Sequence, residues 1–231
     1  MGRKSLPKPR VDDRARKRAW AETLFAHFQE QGLRGLTMDE AAALLGVSKA
    51  TLYRYFRSRE EILASALAWK LDAVRRFRER LDDPAVPYLE RFAEGIRVAA
   101  AELSTISTRF LADLRDAHPA LWEQVQAFLA EAVNALRAFY AEGVAAGHLA
   151  RAHPGVMAAA DEAFFQRLSD PAFLEREGLA LHEALAHYFV IKVHGLFRDE
   201  RVPEGRRRAL LRKLLDGLPG EGNLPAAPAV R

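Results

Sequence analysis

The sequence contains no cysteine. Disulfides and thiolate metal sites are therefore excluded, and a reducing cytoplasm is a compatible setting. No stretch approaches the roughly 18 apolar residues of a membrane span, and the first residues lack the apolar segment of a secretory signal. β-Branched runs alternating at period two are missing, so nothing reads as a half-buried sheet. Neither a phosphate-binding glycine loop nor a nucleophile elbow occurs, and there is no internal repeat. The nearest approach to a metal motif is His182-Glu183-Ala184-Leu185-Ala186-His187. Its histidines lie five apart rather than four, so on a helix they diverge by about 140°. No catalytic residue, metal or cofactor is expected.

What the chain has in quantity is alanine and leucine interleaved with charge, the composition of an all-α protein. Its 231 residues suffice for a small domain and a larger one. The net charge of +4 is unevenly placed: residues 1–60 hold 13 Lys and Arg against 7 Asp and Glu, the remainder 22 against 24. All the positive excess sits at one end, where a phosphate-binding surface would need it. Residues 1–11, with Arg3, Lys4, Lys8 and Arg10 among two prolines, read as a flexible basic arm. A helix follows from Asp12 or Asp13 to about Gln31, with Ala21, Leu24, Phe25 and Phe28 on one face.

From Thr37 to Leu63 the helix signals come in close order. Thr37 with Glu40 three residues on forms a capping box. Ala41, Ala42, Leu44 and Leu45 give a short helix an apolar side, and Gly46 ends it. Ser48 caps a second short helix, Lys49 to Phe56, whose Leu52 and Phe56 at i and i+4 point inward. Ser48, Lys49, Thr51, Tyr53, Arg54 and Tyr55 are left facing outward. Ser58 with Glu61 starts a third helix. A short helix carrying hydroxyls, a lysine and tyrosines outward suits the major groove, as in a helix-turn-helix. A plain helical hairpin with a solvated face would have the same spacing.

The run V-S-K-A-T-L-Y-R-Y-F-R-S-R-E-E-I-L, beginning at Val47, resembles the signature of the TetR family of bacterial transcriptional regulators. The likeness extends from about Arg14 to about Leu67. It implies a three-helix helix-turn-helix domain over 1–58 and a helical ligand-binding and dimerisation domain over 59–217; the glycines and prolines of 218–231 read as a loose tail. It also implies DNA contacts from Thr37, Ser48, Lys49, Ala50, Thr51, Tyr53, Arg54, Tyr55 and Arg59. Tyr55 stands where the family often has histidine, and Ala50 where it often has glycine. The partners implied are a palindromic double-stranded operator, a small and largely apolar effector, and a second copy of the chain.

Beyond the motif, Ser58 to about Leu81 reads as an uninterrupted rod, with the Lys70 stem lying along its apolar stripe. Six further helices are expected: about 84–103, 107–116, 119–147, 154–168, 179–198 and 204–215, with a break at Pro171. Phe110, Trp122, Phe128, Phe139, Phe164 and Phe165, with Asp113 as a polar anchor, are the candidates for an effector pocket between helices. The helices at 154–168 and 179–198 carry more apolar surface than one core needs. Met157, Ala160, Phe164, Leu185, Tyr188, Phe189 and Leu196 are the candidates for a dimer interface. A constitutive or architectural DNA binder without an effector is the alternative function.

Overall fold

The computed structural model describes residues 10–33, 36–149 and 152–196, together with Gly205 and Ala209. Among these residues there is no strand. Ten helices follow one another as α1 (Arg10–Gln31), α2 (Met38–Leu44), α3 (Lys49–Tyr53), α4 (Arg59–Leu81), α5 (Tyr88–Leu103), α6 (Thr108–Ala117), α7 (Pro119–Ala145), α8 (Pro154–Leu168), α9 (Pro171–Glu177) and α10 (Leu181–Leu196). The protein is all-α, with a helix-turn-helix at the N-terminal end and a helical bundle behind it. The stretch expected to form a last basic helix, 204–215, lies outside the described residues save for Gly205 and Ala209, as does the tail at 218–231.

Several boundaries depart from the sequence reading, each for a local reason. α1 begins at Arg10, inside the stretch read as the arm. α5 begins at Tyr88 rather than Pro84, because Pro87 holds its predecessor extended and itself stands at the N-cap. α3 stops at Tyr53, and Arg54 and Tyr55 form a turn that closes onto Leu52. Pro171, expected only to break a helix, instead opens α9 at its first position, with Asp170 capping the Ala172 N–H.

Two apolar cores run through the molecule. The first joins Leu24, Phe25 and Phe28 of α1 to Ala41, Leu52 and Phe56. It continues along α4 to Val74 and takes in Phe110 and Leu114 of α6 and Phe128 of α7. Leu44, expected inside it, is 44% exposed. On so short a helix the two alanines Ala41 and Ala42 already fill the inner face, and Leu44 falls off it. The second core joins Phe77 and Leu81 of α4 to α5, α7, α8, α9 and α10. α4 thus belongs to both, and it packs most extensively on α5 and α1. At its C-terminal end the buried Arg91 guanidinium donates to the Leu81 carbonyl (3.0 Å) and pairs with Glu142. This ties α4 to α5 and α7.

Candidate nucleic-acid interface and body cavity

The N-terminal end is held in shape by its caps. Thr37 and Glu40 satisfy each other's backbone N–H groups at 2.7 and 3.2 Å. Ser48 Oγ accepts from the Thr51 N–H at 3.1 Å, and Ser58 Oγ from the Glu61 N–H at 3.2 Å. Between the first two caps Gly46 sits at φ +64°, a left-handed turn that a side chain would strain. Leu52 and Phe56 are fully buried and root α3 in the core. Ser48, Lys49, Ala50, Tyr53 and Arg54 are exposed, Thr51 partly so. Thr37 is also exposed, and Arg59 is half-buried at the start of α4.

Electrostatics on this face are local. The Lys49 ammonium lies 2.8 Å from Asp39 on α2, and that carboxylate holds the lysine above its ordinary pKa. Tyr55, expected to face outward, turns back onto α1. Its hydroxyl donates to Asp13 at 2.8 Å, and its ring meets the Trp20 ring edge-on at 4.7 Å. The turn after Tyr53 rotates it off the α3 face, and α1 supplies both an aromatic partner and an acceptor.

Behind this end lies a cavity of about 120 Å³ between α1, α4, α5, α6, α7, α8 and α10. Phe110, Phe128 and Phe165 line it. The other pocket candidates lie elsewhere. Asp113 accepts the Leu33 N–H at 3.0 Å, and Phe139 stacks on Tyr88 at 4.2 Å. Phe164 stacks on Tyr188 at 3.9 Å, and Trp122 is half-buried between the cores. Phe25 of α1, Lys70 of α4 and Leu185 and Phe189 of α10 are wall residues that the sequence did not single out for the pocket. Phe25 is the informative one, because it places α1 in the wall. α6 joins the two sites. Its inner side contributes Phe110, Leu111 and Leu114 to the wall. At its start the Ser107 N–H donates to Gln29 Oε1 of α1 at 2.7 Å. At its end burial, and then the Arg59 charge, push His118 below its ordinary pKa.

α7, α8 and α10 also share a buried polar cluster. Asp161 is fully buried and pairs with the Lys192 ammonium. It also accepts the hydroxyls of Tyr140 (2.8 Å) and Tyr188 (2.6 Å). Burial pushes both tyrosines up and Lys192 down from their ordinary values. Outside this cluster α8 and α10 present apolar surface to solvent. Of the interface candidates, Ala160 is exposed and Phe164 and Tyr188 are half-buried. Met157, Leu185 and Phe189 are buried within their own chain, because that flank of each helix faces the second core. The side chain of Leu196 lies outside those described. Val156 (67% exposed) and Ile191 (69%) are exposed apolar residues of these helices that stand outside the interface candidates. Spacing marks them in hindsight: 156, 160 and 163, with 188, 191 and 195, each trace one helical stripe.

Residues 22–66 match the family model for bacterial regulatory proteins, tetR family. In fold the chain is similar to a TetR-family transcriptional regulator from Marinobacter aquaeolei VT8, at a TM-score of 0.64 and 20% identity over 88% of this chain and 98% of that one. It is also similar to a gamma-butyrolactone receptor (ArpA-like protein), at a TM-score of 0.55 and 16% identity over 87% and 95% of the two chains. In sequence it is 22% identical to the uncharacterized HTH-type transcriptional regulator YvaF of Bacillus subtilis strain 168, over 80% of this chain and 96% of the relative.

Proposed function

This chain belongs to the tetR family of bacterial regulatory proteins, and from that premise we propose that it is a homodimeric repressor, released from a palindromic operator by a small, largely apolar effector. It is a transcriptional regulator that binds DNA. Residues 1–58 form the reading head, 59–217 the body that dimerises and takes the effector, and 218–231 a tail; the protein works in the cytoplasm, where its DNA is.

The observation that carries this reading is the presentation of α3, rooted by Leu52 and Phe56 and turned outward at Ser48, Lys49, Ala50, Tyr53 and Arg54. Laid in a major groove, Lys49 and Tyr53 bind phosphate, while Thr51 and Arg54 reach base edges. Ala50 is small enough to let the backbone approach, and Thr37 and Arg59 donate to phosphates from helix ends. Tyr55, held by Asp13 and Trp20, braces α3 against α1.

One five-residue helix makes too few base contacts for useful specificity, so two are needed. The exposed stripes of α8 and α10, with Val156, Ala160, Phe164, Tyr188 and Ile191, are the self-complementary face that brings them together. A two-fold axis there sets the α3 pair at the roughly 34–36 Å of successive major grooves, or a multiple. An effector in the cavity presses on α4 and α6, both of which pack on α1, and so changes that spacing. Its preference for the altered spacing is the free energy by which DNA is released.

The test begins with a duplex selected from random sequence by the purified protein. Fluorescence anisotropy at matched salt should show that duplex bound at least about 1,000-fold tighter than random DNA. Sedimentation should give a dimer at the binding concentration. A monomer, or equal affinity for both duplexes, would refute the proposal.

A further inference from the structure

We infer that the body cavity takes an uncharged hydrocarbon of about one aromatic ring, without a hydrogen-bonding group, and that the Lys70–Glu102 pair is what closes its wall to acids. The inference rests on the effector reading above and narrows it from largely apolar to free of polar groups.

A buried lysine beside a cavity would ordinarily invite a carboxylate. Lys70 is 2% exposed and lines the cavity, but its ammonium is already committed. It lies 2.7 Å from Glu102 of α5, whose other oxygen holds Arg76 on the outer surface. The pair with Glu102 sets the ammonium at the seam between α4 and α5, where it also lies 5.5 Å from the centre of the Phe25 ring. The surface facing the cavity is almost wholly carbon. Ser169 is the other polar residue in the wall, and its hydroxyl donates to the Phe165 carbonyl at 2.8 Å. Among the described residues, the buried side-chain atoms without a partner are Gln29 Nε2 and Arg91 Nε, and neither residue lines the cavity.

Among the described residues, each polar side chain of the wall therefore already has a partner. A hydroxyl or carbonyl carried inside would leave water without meeting a side-chain group that lacks a partner, and a carboxylate would in addition approach Glu102. Size and shape agree with this chemistry. The cavity measures about 120 Å³, and an apolar cavity of about 150 Å³ stays dry and takes up benzene. Phe25, Phe77, Phe110, Phe128, Phe165 and Phe189 line it, and aromatic walls suit a flat aromatic occupant.

The probes are benzene, phenol and benzoate, on the full-length protein, by titration calorimetry and sealed-cell scanning calorimetry. Benzene should bind and raise Tm; phenol should bind about tenfold more weakly, and benzoate not measurably. Ala99→Leu, which fills the cavity from α5, should abolish benzene binding, with Leu185→Phe as the substitute if that variant fails to fold. Glu102→Gln releases the ammonium and should make benzoate binding measurable. Phenol or benzoate binding as tightly as benzene to the unaltered protein would overturn the ligand class while leaving the cavity a ligand site. Benzene binding that survives both fillings, or benzoate still excluded from the Glu102→Gln variant, would overturn the assignment to this wall. No heat and no Tm change with any of the three would overturn the effector reading itself.

Discussion

The reading head and the body are made of the same kind of helix but keep their polar groups in opposite places. In the head they sit at helix ends in solvent: Thr37 with Glu40, Ser48 with Thr51, Ser58 with Glu61, and Lys49 with Asp39. The interior there, Leu24, Phe28, Leu52 and Phe56, is apolar and fully buried. In the body charge goes inside, as the Asp161–Lys192 pair and the Lys70 ammonium, and the packing leaves a cavity. A surface that must match DNA needs one shape, which short-range caps and a filled core provide. Under the function proposed, the body needs room for an occupant and contacts that can be remade.

The widest contrast lies in the ion pairs. Asp161→Ala leaves Lys192 charged and buried, and should cost about 3–5 kcal/mol in urea unfolding. Replacing both partners, as Asp161→Leu with Lys192→Met, should recover most of that loss. In the head, Asp39→Asn breaks a pair whose members are 69% and 54% exposed, and should leave the urea midpoint unchanged, because solvent screens the pair. If the double variant is no better than Asp161→Ala alone, the buried charge is not the reason for the loss.

Packing gives the next difference. Leu52→Ala in the filled head should cost about 2–5 kcal/mol. Ala99→Leu in the body should cost nothing, or stabilise by up to about 2 kcal/mol, because it occupies empty volume. Equal losses at the two sites would remove the distinction between a filled core and one with a void. Smaller again is Ser58→Ala, which deprives the Glu61 N–H of its acceptor at the start of α4 and should cost about 1 kcal/mol.

How much could be read from residues alone follows the same division. The head was legible because its determinants lie within three or four residues of one another: capping boxes, Gly46, and the i, i+4 pair Leu52 and Phe56. Tyr55 escaped, since what turns it inward is Asp13 and Trp20, more than thirty residues earlier. In the body the long rod to Leu81 and the span Pro154–Leu168 could be placed by their stop signals. The Asp161 cluster could not, because its members come from three helices and no local pattern joins 140, 161, 188 and 192. α10 is apolar on most sides, so periodicity did not say which flank meets its own core. Periodicity alone therefore does not separate Leu185 and Phe189, which are buried, from Ile191, which is exposed. Phe110, Phe128 and Phe165 were recognisable as aromatics near helix ends, but a void is a property of the assembled packing and has no sequence signal.

The smallest effect separates the two regions by pH. In the head, backbone N–H groups chiefly hold the carboxyls of Glu40, Glu60 and Glu61 below their ordinary value of 4.5. A lowered carboxyl contributes stability above 4.5 and loses it as pH falls through its folded-state pKa, so acid should loosen the head. In the body, burial chiefly holds the hydroxyls of Tyr88, Tyr140 and Tyr188 above their ordinary value of 10.0. Their contribution is intact below 10.0 and is lost as pH rises beyond it. Lys192, pushed down by burial, has the opposite sign: its contribution grows as pH climbs toward 10.5, and offsets part of the alkaline loss. Hydrogen exchange followed by mass spectrometry should show protection falling first over α2, α3 and the start of α4 in acid, and first over α7, α8 and α10 in alkali. The acid effect should be slight, since these carboxyls are near the surface. Tyr188→Phe should blunt the alkaline loss without touching the acid one, and uniform loss of protection at both extremes would mean that the two regions unfold as one.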